Sequence, residues 1–169
     1  MNTIEFKSSI DPHISIFLGE DVKKHLQRHF NAKMPGSKFL FDSPDCLIQA
    51  VVDDFPNSIR NATFNEYGCK VVSVTFPFDI GNCNVISLDD VTEDELSTLQ
   101  IIQRGETKAR CIKSNRIIPT KECQLILDED NNLITAYPGE LAPPLPDSPD
   151  IHNEFWDNHV FIEPIETAK

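Results

Sequence analysis

The stretch from Arg104 to Pro138, RGETKARCIKSNRIIPTKECQLILDEDNNLITAYP, decides the fold. Two of its segments, 124–127 (QLIL) and 133–137 (LITAY), are short and rich in residues that favour strands. The acidic segment between them, 128–132 (DEDNN), has a composition typical of a hairpin turn. The pattern therefore predicts an antiparallel hairpin near the carboxyl-terminal third of the chain.

The first half of this stretch is basic. One acid, Glu106, stands against six basic residues, which are Arg104, Lys108, Arg110, Lys113, Arg116 and Lys121. A second basic window, residues 23–38, contains no acid. If the two windows share one face of the fold, they form a positive cleft on a protein whose net charge is −12. The alternative is that they are solvated faces of unrelated elements.

Length and composition predict one folded domain that spans residues 1–169. The chain is 40% apolar and contains 11 Phe residues, which is enough to bury a core. Its 5 Cys residues are odd in number and form no CxxC pair, which indicates reduced thiols and a cytoplasmic location. The first residues lack a signal-peptide pattern, and no apolar run approaches the roughly 18 residues that a membrane helix needs. We therefore expect no membrane partner.

The first part of the chain, about residues 20–56, is predicted to be helical. One helix begins at Asp21 and is closed by Pro35-Gly36, and a second begins at Ser43-Pro44-Asp45, a capping Ser followed by Pro in the first turn. The polar segment 57–69 is predicted to be a loop.

The sheet is predicted over about residues 70–137. Residues 70–76 form its clearest strand, Gly81-Asn82 a turn, and 85–88 the partner of that strand. Thr92 and Glu95 have the spacing of a capping box, which predicts a short helix over 93–99. Segments 101–102 and 109–112 are expected to pair across Arg104-Gly105.

The last part of the chain, residues 138–169, is predicted to be a proline-rich strap followed by a returning apolar tail. The order of the elements gives an α+β fold, in which N-terminal helices pack on a mostly antiparallel sheet.

Two histidines, His25 and His29, lie four residues apart and thus on one face of the predicted first helix. Their basic neighbours repel a metal ion but suit a phosphate, near which a histidine can donate or accept a proton at neutral pH. The alternative is one core histidine and one surface histidine. Neither a metal nor a cofactor is predicted.

Thr135 and Tyr137 fall on one side of the last predicted strand of the sheet. Their hydroxyl groups can bind phosphate, and the tyrosine ring can stack on a base; the alternative is a cross-strand pair at the sheet edge. His159, three residues after Trp156 in FWDNHVF, either reaches a site from the tail or packs beside the aromatic residues.

The segment LITAYPG at 133–139, the preceding strand at 123–127 and the basic helix with its two histidines resemble the corresponding parts of bacterial ribonuclease toxins of the barnase–EndoU–RelE type. In that group, N-terminal helices pack on a four-stranded antiparallel sheet. The resemblance implies metal-independent cleavage of RNA by attack of the 2′-hydroxyl group.

The resemblance also implies roles for particular residues. His25 or His29 would be the acid or base, and Thr135 and Tyr137 would position the substrate. Arg104, Arg110 or Lys113 would bind the phosphate. RNA would then be the substrate, and an antitoxin or immunity protein a partner.

A second hypothesis of another class follows from the charge. Residues 122–169 hold eleven acids and one base, so the chain is also suited to be a non-catalytic interaction protein, such as an immunity, phage accessory or regulatory factor, that binds a basic protein.

Overall fold

The computed structural model describes residues 2–30 and 37–165. It is an α+β protein with mostly antiparallel sheets, which confirms the fold class predicted from the sequence. Its contacts divide the chain into two compact units: unit 1 comprises 1–82 and 119–140, and unit 2 comprises 83–118 and 141–169. Each unit has its own sheet and core, and the expectation of one domain over the whole chain stays a prediction.

Unit 1 begins with a β-hairpin. Strands β1 (Thr3–Lys7) and β2 (Ser15–Gly19) pair antiparallel. The first helix, α1 (Glu20–Leu26), follows directly and continues as a 3₁₀ turn, η1 (Gln27–His29). Its predicted closure at Pro35-Gly36 lies outside the described residues.

The second helix, α2 (Pro44–Asp54), has the predicted start. The Ser43 side chain accepts a hydrogen bond from the Cys46 backbone N–H, and Pro44 occupies the first turn. The expectation of a loop over 57–69 was wrong, because helix α3 (Pro56–Arg60) and strand β4 (Thr63–Phe64) lie there. Pro56 supports α3 because a proline in the first turn forfeits no intrahelical hydrogen bond.

The main sheet of unit 1 has the strand order β12–β11–β5–β4. Strands β11 (Glu122–Leu127) and β12 (Leu133–Pro138) form the predicted hairpin, and β5 (Lys70–Thr75) pairs antiparallel with β11 and with β4. In the turn of the hairpin, Asn131 adopts a φ of 66°, and the Asp128 carboxylate accepts hydrogen bonds from two backbone N–H groups.

One face of this sheet forms the core of unit 1 with α1, α2 and the first hairpin. The fully buried side chains alternate along the strands and recur at helical spacing along α2. Among them are Ile16, Leu18, Leu26, Leu47, Ile48, Val51, Val52, Val72, Leu125 and Leu127.

A second, small sheet has the order β10–β6–β3 and consists of β3 (Lys38–Phe39), β6 (Gly81–Cys83) and β10 (Ile118–Thr120). The predicted turn at Gly81-Asn82 was wrong, since both residues belong to β6. Gly81 is required by contact with a neighbouring strand, because a Cβ atom there would overlap the backbone carbonyl of Lys38.

Unit 2 is built on a sheet of order β7–β13–β9–β8. Strands β8 (Gln100–Arg104) and β9 (Thr107–Lys113) pair antiparallel across Gly105, as predicted, and Gly105 has a φ of 60°. Strand β7 (Val85–Ser87) pairs with β13 (His159–Glu163), which in turn runs parallel to β9. The predicted pairing of 85–88 with 70–76 was therefore wrong, because the tail of the chain occupies the edge of β7.

Short elements connect the strands of unit 2. A 3₁₀ turn, η2 (Leu88–Asp90), precedes helix α4 (Glu93–Leu96), and the predicted capping box between Thr92 and Glu95 is present. Residues 139–158, which include the proline-rich strap, contain no helix or strand. Within 2–30 and 37–165, every helix is too short or too polar to cross a bilayer.

Candidate functional site

A cleft in unit 2 lies between β9 and the proline-rich strap. It is small and opens to solvent. Its wall combines apolar side chains with basic, acidic and imidazole groups, and its residues are Lys108, Ala109, Arg110, Leu145, Pro146, Pro149, Ile151, Trp156, Asp157 and His159. Both sides of the cleft belong to unit 2.

Strand β9 supplies the positive charge of the cleft. Ala109 is buried in the small core of unit 2, while Lys108 is exposed and Arg110 is half-buried. The Arg110 guanidinium donates a hydrogen bond to the Pro149 backbone carbonyl at 3.1 Å, which holds the strap against the strand. A guanidinium fixed in this way keeps further N–H donors for an anion.

Trp156 forms an aromatic wall of the cleft. Its indole stacks on the Phe161 ring with centroids 5.0 Å apart, and the indole N–H donates to the Pro143 carbonyl at 2.9 Å. The Arg104 guanidinium lies 4.0 Å from the centroid of the same Phe161 ring. These contacts fix the orientation of the indole, which can then offer its π-face to a planar ligand.

His159 stands at the start of β13 and also lines the cleft. Its ring is parallel to that of Phe155 at 3.8 Å, and its Nδ1 atom lies 2.7 Å from the Phe155 carbonyl oxygen. Because a carbonyl oxygen only accepts, Nδ1 carries the proton of the neutral ring, and Nε2 is then the basic nitrogen. The hydrogen bond therefore sets the tautomer that a general base needs.

The three residues predicted to bind phosphate are all in unit 2, but they have different surroundings. Arg110 lines the cleft, whereas Arg104 packs on Phe161. Lys113, at the other end of β9, forms an ion pair with Glu163 at 3.3 Å.

The two histidines predicted to be catalytic are in unit 1, at the end of α1 and in η1. His25 is exposed, whereas His29 is 7% exposed and its Nδ1 lies 2.9 Å from the Ser37 carbonyl oxygen. Burial is the main cause that lowers the pKa of His29 to about 4, and the nearby charge of Arg28 adds to it. This is the arrangement of one core histidine and one surface histidine.

Thr135 and Tyr137 lie on one face of β12, as predicted, and both are half-buried. They face away from the core side of the sheet, and Tyr137 stands opposite Gln124 in the register of the hairpin. Strand β12 also contacts α1 within unit 1. The structure thus brings the predicted substrate-positioning strand and the predicted histidine-bearing helix together, while the predicted phosphate-binding residues belong to the other unit.

Comparisons with known protein families, with curated proteins and with solved structures gave no match. Two cations, one histidine with a fixed tautomer and one aromatic face surround a single opening, a combination suited to a ligand with a phosphate group and a planar ring.

Sequence reasoning named Arg110 but did not bring it together with Lys108, Trp156 and His159. The sequence contains two local signals of this site. Lys108 and Arg110 are two residues apart and therefore lie on one face of β9, and the motif FWDNHVF contains the aromatic and imidazole groups. What joins them is the parallel pairing of β9 with β13, which no local pattern reveals.

Proposed function

We propose that this protein cleaves single-stranded RNA without a metal ion, and that the reaction takes place in the cleft of unit 2. The observation that carries the proposal is the convergence of Lys108, Arg110, Trp156 and His159 on one opening. Cations that bind phosphate, an aromatic face that binds a base and a histidine of defined tautomer are the groups that such a reaction needs.

In the proposed reaction, a base of the RNA stacks on Trp156 and the adjacent phosphate lies between Lys108 and Arg110. Nε2 of His159 removes the proton from the 2′-hydroxyl group, and the resulting oxygen attacks phosphorus. The two cations stabilise the negative charge that accumulates on the phosphate oxygens. The products are a 2′,3′-cyclic phosphate and a free 5′-hydroxyl group.

The catalytic base of this proposal, His159, is in unit 2, whereas the two histidines predicted from the sequence are in unit 1. His29 is buried, and its imidazole is held by the Ser37 carbonyl, so a role in folding accounts for its contacts. His25 is exposed on α1 and remains the alternative base that the sequence suggests. One experiment separates these two assignments.

The purified protein is incubated with a single-stranded RNA in EDTA, beside the variants His159→Asn and His25→Asn. Asparagine at 159 can still donate to the Phe155 carbonyl but cannot act as a base near neutral pH. We expect cleavage by the wild type and by His25→Asn, and a loss of about 10²–10⁴-fold in rate for His159→Asn. An unreactive wild type would overturn the proposal, and loss only in His25→Asn would return the site to α1.

A toxin role in the cytoplasm, with an antitoxin or immunity protein as partner, belongs to the same proposal. None of the five cysteines, all of which the structure describes, is paired in a disulfide, which suits a reducing compartment. Expression inside cells should arrest growth, and His159→Asn should relieve the arrest. Equal toxicity of the variant would count against a toxin role that depends on this site.

A second candidate function, binding to a basic protein, is favoured by the surface around η2 and α4. Several cations of the chain are already paired with acids, including Lys23 with Asp45 and Arg116 with Glu95. The exposed acids that follow Leu88 lie beside exposed apolar side chains; they are Asp89, Asp90, Glu93 and Asp94, with Leu96 and Leu99.

This second candidate predicts capture of a basic partner at low salt that is lost at high salt. The variant with amides in place of these four carboxylates is the control, and undiminished capture by that variant would contradict the idea.

A further inference from the structure

An ion pair in the strap stands at the wall of the cleft. Asp157 lines the cleft, and its Oδ2 atom lies 2.6 Å from Nδ1 of His152. The His152 side chain is 87% exposed, so its imidazole is open to solvent. Asp157 therefore connects a second histidine, His152, to the wall of the cleft that His159 also lines.

The turn around Asn153 holds this pair in place. The Asn153 side-chain oxygen accepts hydrogen bonds from the backbone N–H groups of Phe155 and Trp156, each at 3.0 Å. The Asp157 N–H donates to the Asn153 carbonyl at 2.8 Å. The same turn thus positions the indole of Trp156 and the carboxylate that orients His152.

We propose that His152 is the general acid of this cleft and that Asp157 is its positioning residue. This inference rests on the proposed ribonuclease function. Because Nδ1 of His152 donates to the Asp157 carboxylate, the second N–H of the protonated ring is on Nε2, which can then give its proton to a leaving group. The arrangement is that of a carboxylate that orients an imidazole and stabilises its cation.

The proton balance of the reaction then closes. His159 takes the 2′-hydroxyl proton, the bond from O2′ to phosphorus forms, and the bond from phosphorus to O5′ breaks. His152 gives its Nε2 proton to the departing O5′, so one histidine gains a proton and the other loses one. Exchange with solvent restores both, which the exposure of His152 permits.

The other polar groups of the cleft are less suited to this step. The Arg110 guanidinium and the Lys108 ammonium group are cations suited to binding the phosphate. The Asp157 carboxylate is already engaged by the His152 imidazole. His152 contributes an imidazole, the side chain that most often transfers protons as a general acid in enzymes.

The test compares two dinucleotide substrates that differ in the leaving atom. One has the natural 5′-oxygen and the other a 5′-sulfur, which departs as a thiolate and needs no proton. His152→Ala is expected to cleave the oxygen substrate about 10²–10⁴-fold more slowly than the wild type, and the sulfur substrate at a rate within about threefold. His159→Asn should be slow on both substrates, because the base is needed for either leaving atom.

Two further measurements separate catalysis from structure. The wild-type rate should fall at alkaline pH as the acid loses its proton, and His152→Ala should lack this decline. Asp157→Asn should show a smaller loss with the same dependence on the leaving atom. His13→Ala, which changes an exposed histidine of unit 1, is the matched control and should behave as the wild type.

The outcomes distinguish the two proposals. If the wild type cleaves neither substrate, the ribonuclease function fails, and the assignment of the acid fails with it. If the wild type cleaves and His152→Ala is equally active on the oxygen substrate, only the assignment of the acid fails. It also fails if His152→Ala is equally slow on both substrates, since the loss is then not in protonation of the leaving group.

Discussion

Lowering the pH should reduce the free energy of unfolding of unit 1 through protonation of His29. The pKa of its imidazole is 6.5 in an unfolded chain and is lowered to about 4 by burial in the folded protein. Between these two values the unfolded chain binds a proton that the folded chain does not. Stability due to the neutral ring is therefore complete above pH 6.5 and is lost progressively as the pH falls to about 4.

The size of the effect follows from the same two pKa values. At about 1.36 kcal/mol per pKa unit, the full loss is roughly 3 kcal/mol, and about 2 kcal/mol of it is already lost at pH 5. The buried position of the ring, 7% exposed, means that solvent screens little of this. Hydrogen bonds also lower the pKa of the carboxyl groups of Asp53 and Asp128, but such acidic groups lose their contribution only below about pH 4.

The assay is urea unfolding at pH 7.5, 6 and 5, followed by circular dichroism at 222 nm, since α1, α2 and α3 all belong to unit 1. The variant His29→Asn retains a donor for the Ser37 carbonyl but does not titrate. Its free energy of unfolding should change by about 2 kcal/mol less than that of the wild type between pH 7.5 and pH 5. His25→Asn, which changes an exposed ring, should follow the wild type.

The reasoning is refuted if His29→Asn and the wild type lose stability in parallel over this range. A parallel loss would mean that the ring of His29 takes up its proton in the folded protein as readily as in the unfolded chain. A smaller loss in His25→Asn than in His29→Asn would refute it in another way, by assigning the titration to the exposed histidine.

Three further changes test the local structure. Gly81→Ala should lower the free energy of unfolding by about 1–3 kcal/mol in urea, because the new methyl group must displace the Lys38 carbonyl; unchanged stability would show that the strands separate easily. Thr92→Ala should lower it by about 1 kcal/mol through loss of the cap of α4, measured by tryptophan fluorescence; no loss would mean that the box contributes nothing. Iodoacetamide should modify Cys46, which is exposed, but not Cys123, whose burial raises the pKa of its thiol. Mass spectrometry identifies the alkylated residues, and alkylation of Cys123 in the folded protein would contradict this expectation.

The parts of the fold that sequence predicts are those with local signals. The start of α2 at Ser43, the capping box of α4 and the two hairpins of β8–β9 and β11–β12 depend on residues a few positions apart. The errors concern pairing over long distances. Residues 85–87 have the composition of a strand, but nothing in them specifies that the partner is β13 and not β5.

The candidate site was not predicted because it also depends on pairing between strands that are distant in sequence. Lys108 and Arg110 are separated from Trp156 and His159 by about fifty residues of sequence. Parallel strands cannot be joined by a short turn, so no turn motif in the sequence indicates that β9 and β13 pair. The histidines of α1 were favoured because their spacing is visible locally. The burial that lowers the pKa of His29 depends on the tertiary structure and has no such signal.

The distribution of charge explains how an acidic chain can still offer a site to a polyanion. Of the six cations between 104 and 121, Lys113, Arg116 and Lys121 are held by carboxylates, so half of the positive charge of the basic window is neutralised by nearby acids. Lys108 and Arg110 are the members that line the cleft. Beyond a Debye length of about 8–10 Å the net charge of the chain is screened in physiological salt, whereas these two cations act at contact distance. Any attraction for RNA must therefore come from close contacts in the cleft, and not from steering by the whole protein.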